Sequence, residues 1–261
     1  MDIQLGCLTR PWDAAKLALE EAFAGISKAG YRYVGLNTRA YAPDYPDAAL
    51  AALRSQLDAH GLSLQVSFGN PDLSLTPAEA VDQFRRQLDF CHELGVSYIL
   101  LLGTEDEAKY ESWYSAVEQC LDAARERDMV MVLKPHDGIS RLAEDMLRAV
   151  DRFRHPSFGI CYDPGNILYY TGLRPENDLP KVVKHVRAMC IKDETGGKHG
   201  EVMITPGTGD VDFPQVFSIL NDAGFSGPCW VECVGGKTLA EVNGEARKAR
   251  EFIEGVVARV P

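Results

Sequence analysis

Met129–Gly138 reads MVMVLKPHDG, five apolar residues running straight into Lys134, Pro135, His136, Asp137 and Gly138. A run this short and this rich in Val and Met predicts a strand buried on both faces. Pro135 has no N–H to give to a sheet ladder, so the strand ends there. Lys134 and His136 are thereby set at the carboxyl end of a buried strand, where α/β proteins carry their chemistry.

The same alternation extends in both directions. Short apolar runs predict strands at Ile3–Cys7, Tyr31–Leu36, Leu62–Phe68, Val96–Leu102, Met129–Lys134, Phe158–Tyr162, Val186–Ile191 and Cys229–Val234. Amphipathic stretches between them predict helices at Trp12–Ala29, Asp47–Ala59, Thr76–Gly95, Glu105–Arg127, Ile139–Phe153, within Ile167–His185, at Phe213–Ala223 and at Leu239–Val257. Thr76 with Glu79 and Thr238 with Glu241 each form a capping box, and a loop holding Pro43 and Pro46 precedes the second helix. Eight strands alternating with eight helices in 261 residues fit a single (β/α)8 TIM barrel, one domain over residues 1–261 without a linker. An open doubly wound sheet is disfavoured, because no G-x-G-x-x-G follows the first strand.

Composition narrows the function. The chain is 46% hydrophobic with a net charge of −11, which argues against a nucleic-acid backbone as partner. No apolar run approaches a membrane-spanning length. Seven scattered cysteines without a CxxC pair, and no charged-then-apolar leader at MDIQLGCLTR, lead us to expect reduced thiols and a cytoplasmic address.

In a barrel of this kind the site lies at the carboxyl ends of the strands. The polar residues there are Thr9, Arg10, Asn37, Asn70, Lys134, His136, Asp163, Asn166, Cys190, Lys192, Asp193 and Glu232. Glu232 interrupts an apolar strand and shares a face with Trp230, which marks it as a general base or metal ligand; a buried salt bridge to a lysine is the competing role. Asp163 ends a strand in Asp-Pro-Gly, equally the sequence of a turn, yet paired with Glu232 it offers a site for a hard cation. His136 is a candidate metal ligand, proton carrier or hydroxyl binder. Cys190 reads as a small buried thiol, and Lys192 on its face suits anionic substrate groups. The glycine-rich Pro206–Phe213 could cradle phosphate through backbone N–H groups, although its two aspartates oppose this and Asp212 reads more simply as a helix cap. Trp12, Tyr162 and Trp230 offer flat faces to a sugar ring, against a default of core packing.

The order LKPH, CYDPGN, VRAMCIKD, PGTGDVDF, WVECV resembles the xylose isomerase-like TIM-barrel family of sugar phosphate isomerases and epimerases. The resemblance implies an enzyme acting on a sugar or sugar-like polyol ketone, moving a proton next to a carbonyl through an enediolate. It also implies one divalent cation (Mn, Mg or Zn) held by Glu, Asp, His and Glu at four strand ends. Asp163 and Glu232 match two of these positions. Lys134 stands in place of the first Glu, Cys190 in place of the His, and Asn166 where many members carry a second histidine. Metal dependence is thus open: Lys134 can supply the missing positive charge, or His136 can complete a displaced metal site with Asp163 and Glu232. The expected catalytic residues are Glu232 as proton-transfer base with Lys134 and His136; Asn166, Lys192, Trp12 and Trp230 are expected to bind substrate. A lyase or hydrolase of a modified sugar and a non-catalytic sugar-binding relative are the alternatives, and a homo-oligomer is compatible with the fold. A repair nuclease is disfavoured, since its many-histidine metal cluster is missing and the chain is acidic.

Overall fold

The computed structural model of the chain describes residues 1–42 and 44–260; Pro43, expected in the loop before the second helix, lies outside the described residues. Eight strands run parallel in chain order: β1 (Ile3–Leu8), β2 (Tyr33–Leu36), β3 (Ser63–Phe68), β4 (Tyr98–Leu101), β5 (Val130–Leu133), β6 (Phe158–Tyr162), β7 (Val186–Ile191) and β8 (Gly227–Val231). β8 pairs back on β1, from Ile3 with Gly227 to Cys7 with Val231, and closes the barrel. The fold is a (β/α)8 TIM barrel, as the alternation of apolar runs predicts.

The helices form the outer layer: α1 (Arg10–Ala14), α2 (Leu19–Lys28), α3 (Thr38–Tyr41), α4 (Asp47–Ala59), α5 (Pro77–Glu93), α6 (Tyr110–Arg125), α7 (Ala143–Phe153), α8 (Pro164–Thr171), α9 (Pro175–Val182), α10 (Phe213–Asp222) and α11 (Leu239–Val257). Both expected capping boxes are present, with Glu79 Oε2 accepting from Thr76 N at 3.0 Å and Glu241 Oε2 from Thr238 N at 3.1 Å. Asp212 caps α10 through Gln215 N at 3.0 Å. Four expected helices differ, among them Ile139–Phe153, which begins only at Ala143 after a turn at Gly138–Ser140. Trp12–Ala29 divides into α1 and α2, because the chain turns at Lys16 with φ of 58° and leaves the helix. Glu105–Arg127 begins only at Tyr110, after a turn capped by Asp106. Ile167–His185 holds the end of α8 and the whole of α9, separated where Gly172 adopts a φ of 73°.

Two apolar layers result. Helices pack on the outer face of the strands, and a separate cluster fills the barrel lumen: Leu8, Val66, Leu100, Val132, Cys161, Ala188, Cys190 and Trp230. That lumen cluster fixes the orientation of the site. Side chains alternate along a strand, so the residue two positions beyond each inward-facing one also points inward, one layer nearer the mouth. Beyond Val132, Cys161, Cys190 and Trp230 these are Lys134, Asp163, Lys192 and Glu232. Among the described residues no helix is long and apolar enough to cross a membrane.

Candidate active site

The four residues each follow directly on the end of one of four consecutive strands, β5 to β8, and alternate in sign. Lys134 Nζ lies 2.9 Å from Asp163 Oδ2, Asp163 Oδ2 lies 3.6 Å from Lys192 Nζ, and Lys192 Nζ lies 2.9 Å from Glu232 Oε1. Lys134 Nζ also donates to Glu232 Oε2, which closes the quartet across the barrel. All four side chains are almost wholly buried, which for charged groups demands such pairing. Arg10, at the start of α1, adds a third cation 3.7 Å from Glu232 Oε1 and remains half-exposed.

The pairing sets the protonation states. Burial alone would depress the Lys134 ammonium, but Asp163 and Glu232 outweigh it and hold its pKa well above the usual lysine range. Burial would lower Lys192 too, and Glu232 reverses this. Glu232 is the mirror case: burial would raise its carboxyl, yet Lys134, Lys192 and Arg10 hold it well below the usual carboxylate range. The quartet therefore carries two positive and two negative charges that cancel, and Arg10 leaves the site with a net positive charge.

Local sequence explains how each group is held. Asp163 is both things its sequence allows: Oδ1 caps α8 through Asn166 N at 2.9 Å while Oδ2 faces Lys134. Pro164, fixed in φ, opens the helix directly behind it. Asn166 ties two elements, donating from Nδ2 to Pro135 O at 2.6 Å and accepting at Oδ1 from Lys192 Nζ at 2.9 Å. Gly165 is demanded by close approach, because a Cβ there would meet Lys192 O at 2.6 Å and Lys192 Cγ at 2.7 Å.

His136 lies at the rim. Its Nε2 is 2.7 Å from the Tyr170 hydroxyl and its Nδ1 is 3.5 Å from Glu105 Oε1. Burial, then the charges of Lys134 and Lys192, lower its pKa to about 4, so the imidazole is neutral near pH 7. In the bond to Tyr170 the donor is either the hydroxyl or Nε2–H, according to which ring nitrogen of the neutral imidazole carries the proton.

Above the quartet is a cavity of about 160 Å³ whose walls include Arg10, His136, Asn166, Tyr169, Tyr170 and Lys192. Arg10, Phe68 and Leu102 also border an adjoining space of about 710 Å³ that reaches Thr9, Asn37 and Tyr41. A polar pocket opening onto a wider cleft is the form of a small-molecule site.

Not every expected residue reaches this cavity. Trp12 is fully buried outside the lumen and donates to Asn243 Oδ1 of α11 at 2.9 Å. Trp230 is fully buried in the lumen one layer below Glu232, with Nε1 bonded to Gln65 Oε1 at 2.8 Å. Neither offers a face to a sugar, and Tyr162, bonded to Pro175 O at 3.1 Å, is likewise core. Asn70 accepts from Trp113 Nε1 and donates to Gly103 O, both at 2.9 Å, and so braces β3 against α6. The glycine-rich loop does cradle an anion, but its own: Asp193 accepts from Gly207 N at 2.8 Å, Gly209 N at 2.9 Å and Val211 N at 3.1 Å. Tyr169 and Tyr170 were missed by sequence reasoning, since they sit in the stretch without clear periodicity.

Among the described residues one trio could offer ligand atoms to a metal, Asp163, Cys190 and Glu232, all within 4.8 Å of one another; His136 is outside it. Lys134 Nζ contacts both carboxylates of that trio. Cys190 Sγ lies 3.6 Å from Cys161 Sγ, and burial, then that neighbour, push its thiol pKa well up, away from the thiolate a metal requires. The donor set does not fit a divalent ion alongside Lys134.

With this geometry in place, comparison with known proteins is informative. A family described as a xylose isomerase-like TIM barrel matches residues 23–256. The chain belongs to that family. An inosose dehydratase from Erwinia tasmaniensis is 29% identical over 249 residues, spanning 78% of this chain and 80% of its own. An L-ribulose-5-phosphate 3-epimerase from Escherichia coli is 23% identical over 189 residues, spanning 70% of this chain and 65% of its own. A D-allulose 3-epimerase from Methylomonas sp., solved in complex with D-allulose, shares the fold with a TM-score of 0.76 at 21% identity, covering 97% of each chain. The xylose isomerase-like relatives thus include enzymes named for dehydration and for epimerisation of sugar-type ketones.

Proposed function

We propose that the protein is an isomerase or epimerase of a sugar or sugar-like polyol ketone, working by proton transfer next to the carbonyl. The observation that carries this reading is the buried cation pair, Lys134 and Lys192, beneath a polar cavity bordered by a neutral His136. Removing a proton from the carbon beside a carbonyl turns the carbonyl oxygen into an oxyanion. Fixed cations in a water-poor site stabilise that oxyanion far better than water does. Lys192, together with Arg10 at the rim, is positioned for this task, and Lys134 holds Glu232 and Asp163 in place around it.

The proton acceptor in this reading is the His136–Tyr170 pair rather than Glu232. Each oxygen of Glu232 already faces an ammonium, which leaves it a weak base. His136 is unprotonated at neutral pH, but burial and the lysines that hold its pKa at about 4 make it a weak base in the resting site; the negative charge forming on the carbonyl oxygen is what raises its basicity as the transfer proceeds. Return of the proton to the neighbouring carbon, with the hydroxyl proton of the first carbon passing to the former carbonyl oxygen, gives the isomer; delivery of a proton from a solvent-derived donor to the opposite face of the same carbon, the abstracted proton passing to solvent, gives the epimer. Asn166 orients Lys192.

The test is solvent deuterium exchange, followed by proton NMR, into L-ribulose 5-phosphate, D-allulose and inosose. We expect exchange with at least one ketone, slowed by about 10²–10⁴ in His136→Asn. No exchange with any ketone tried sinks the reading for those substrates.

A dehydratase is the second reading, favoured by the 29% identity to inosose dehydratase. It shares the first step and then expels a hydroxide β to the carbonyl, which leaves as water after protonation. Loss of water in the product mass, with the ultraviolet absorption of a conjugated enone, distinguishes it from an isomer of unchanged mass.

A further inference from the structure

We propose that the Lys134 ammonium is the resident cation of this barrel, standing where a divalent ion would otherwise bind, and that its removal opens a thiolate-containing metal site at Asp163, Cys190 and Glu232. The proposal is independent of which sugar is turned over.

Position comes first. Lys134 Nζ is 2.9 Å from Asp163 Oδ2 and in contact with Glu232 Oε2, so it lies between the two carboxylates of the trio. A metal ion bridging them would have to evict it. The lysine side chain is only 2% exposed, and the residues lining the cavity above it offer a displaced ammonium no carboxylate other than Glu232.

Charge points the same way. Two buried lysines balance two buried carboxylates, and a dication added to that neutral quartet leaves two uncompensated buried charges. Without Lys134 the buried carboxylates outnumber Lys192, and the remaining trio of Asp163, Glu232 and Lys192 is anionic, with Arg10 balancing it only from the half-exposed rim. A dication then binds, and Cys190 can release its proton to solvent as its sulfur joins the metal, which restores neutrality. A thiolate with two carboxylates favours Zn²⁺ or Co²⁺ over Mg²⁺.

The chain treats an anion site in the same fashion. The backbone N–H groups of Gly207, Gly209 and Val211, a cradle suited to an outside anion, converge on the chain's own Asp193. At the carboxylate pair and at this cradle alike, a side chain of the chain itself supplies the matching charge.

The experiment is metal loading of the purified full chain with CoCl₂ or ZnCl₂, followed by desalting, elemental analysis and, for cobalt, absorption in the cobalt–thiolate charge-transfer region. The wild type is expected to retain neither metal and to show no such band. Lys134→Ala is expected to retain one equivalent with the band, and Lys134→Ala/Cys190→Ser to lose the band and bind at least about tenfold more weakly. A cobalt–thiolate band in the wild type that Glu232→Gln removes overturns the proposal. So does a folded Lys134→Ala protein that binds no metal. Should circular dichroism show Lys134→Ala unfolded, Lys134→Gln takes its place; should that also fail, the wild-type measurement decides alone.

Discussion

Lys134 Nζ stands 2.9 Å from Asp163 Oδ2, while the other oxygen of the same carboxylate caps α8 at Asn166 N. One aspartate therefore couples the charge quartet to the helix that carries Tyr169 and Tyr170 to the mouth. The buried ion pair is thus both electrostatic centre and positional anchor.

Lys134→Met leaves Asp163 and Glu232 facing each other with only Lys192 between them. Removing one partner of a buried ion pair typically costs about 3–5 kcal/mol, because the other charge stays buried and uncompensated. Urea denaturation of Lys134→Met, Glu232→Gln and the double variant forms a cycle. We expect the double variant to be destabilised by less than the sum of the singles. Additive losses would mean that the two side chains do not act as a pair.

The pH dependence of stability has a component from His136. Its pKa is about 4 in the folded chain against the ordinary histidine value of 6.5. Between those values the unfolded chain binds the proton and the folded chain does not, so stability rises with pH in this window and is lost as pH falls through it. Glu232 acts in the same sense: its depressed pKa gives stability that is present above the unfolded carboxylate pKa and lost as pH falls through the folded one. His136→Asn should flatten the unfolding free energy specifically from about pH 6.5 down to about 4. An unchanged slope across that window would show that the imidazole is not held neutral.

Trp230 tests the distinction between lumen and mouth. It is fully buried, bonded to Gln65 Oε1 at 2.8 Å and edge-on to Tyr98 with centroids 5.5 Å apart. Trp230→Phe strands the Gln65 acceptor and is expected to cost about 1–3 kcal/mol in denaturant titration. KM for the ketone should stay within error of the wild type. A KM increase without loss of stability would return Trp230 to the substrate site.

The barrel and the strand-end charges are legible in the sequence because parallel strands buried on both faces read as apolar runs, and a charge inside such a run is conspicuous. Alternation even puts Trp230 and Glu232 on one face. What alternation lacks is depth: two residues along a strand move a side chain about 6.6 Å, enough to take Trp230 from the mouth into the lumen. The partners of Lys134 are also hidden, since Asp163 and Glu232 reach it only when the barrel closes. The break at Lys16 and the arrival of Tyr170 at His136 have no local signal either. Both follow from how a helix start is aimed, Tyr170 by the Asp163 cap and Pro164.

Gly165 offers a test of how tightly the quartet is positioned. A Cβ at this residue would lie 2.6 Å from the carbonyl oxygen of Lys192 and 2.7 Å from its Cγ, closer than real side chains approach, and the first contact is to backbone. The strand end or the start of α8 must then move. Overpacking of this kind costs about 1–3 kcal/mol, so Gly165→Ala should remain folded. Its main effect should fall on Lys192, whose Nζ holds Asn166 Oδ1 and Glu232 Oε1 each at 2.9 Å. Deuterium exchange into the ketone should therefore fall by more than tenfold, roughly the loss of about 1.4 kcal/mol of transition-state stabilisation. Gly224→Ala, at a φ of 75° with no atom within 4 Å of the new Cβ, serves as the control. It strains the backbone between α10 and β8 without touching the quartet, so it should lower stability and leave exchange intact. Equal loss of exchange in both variants would mean that activity follows global stability, not the placement of Lys192.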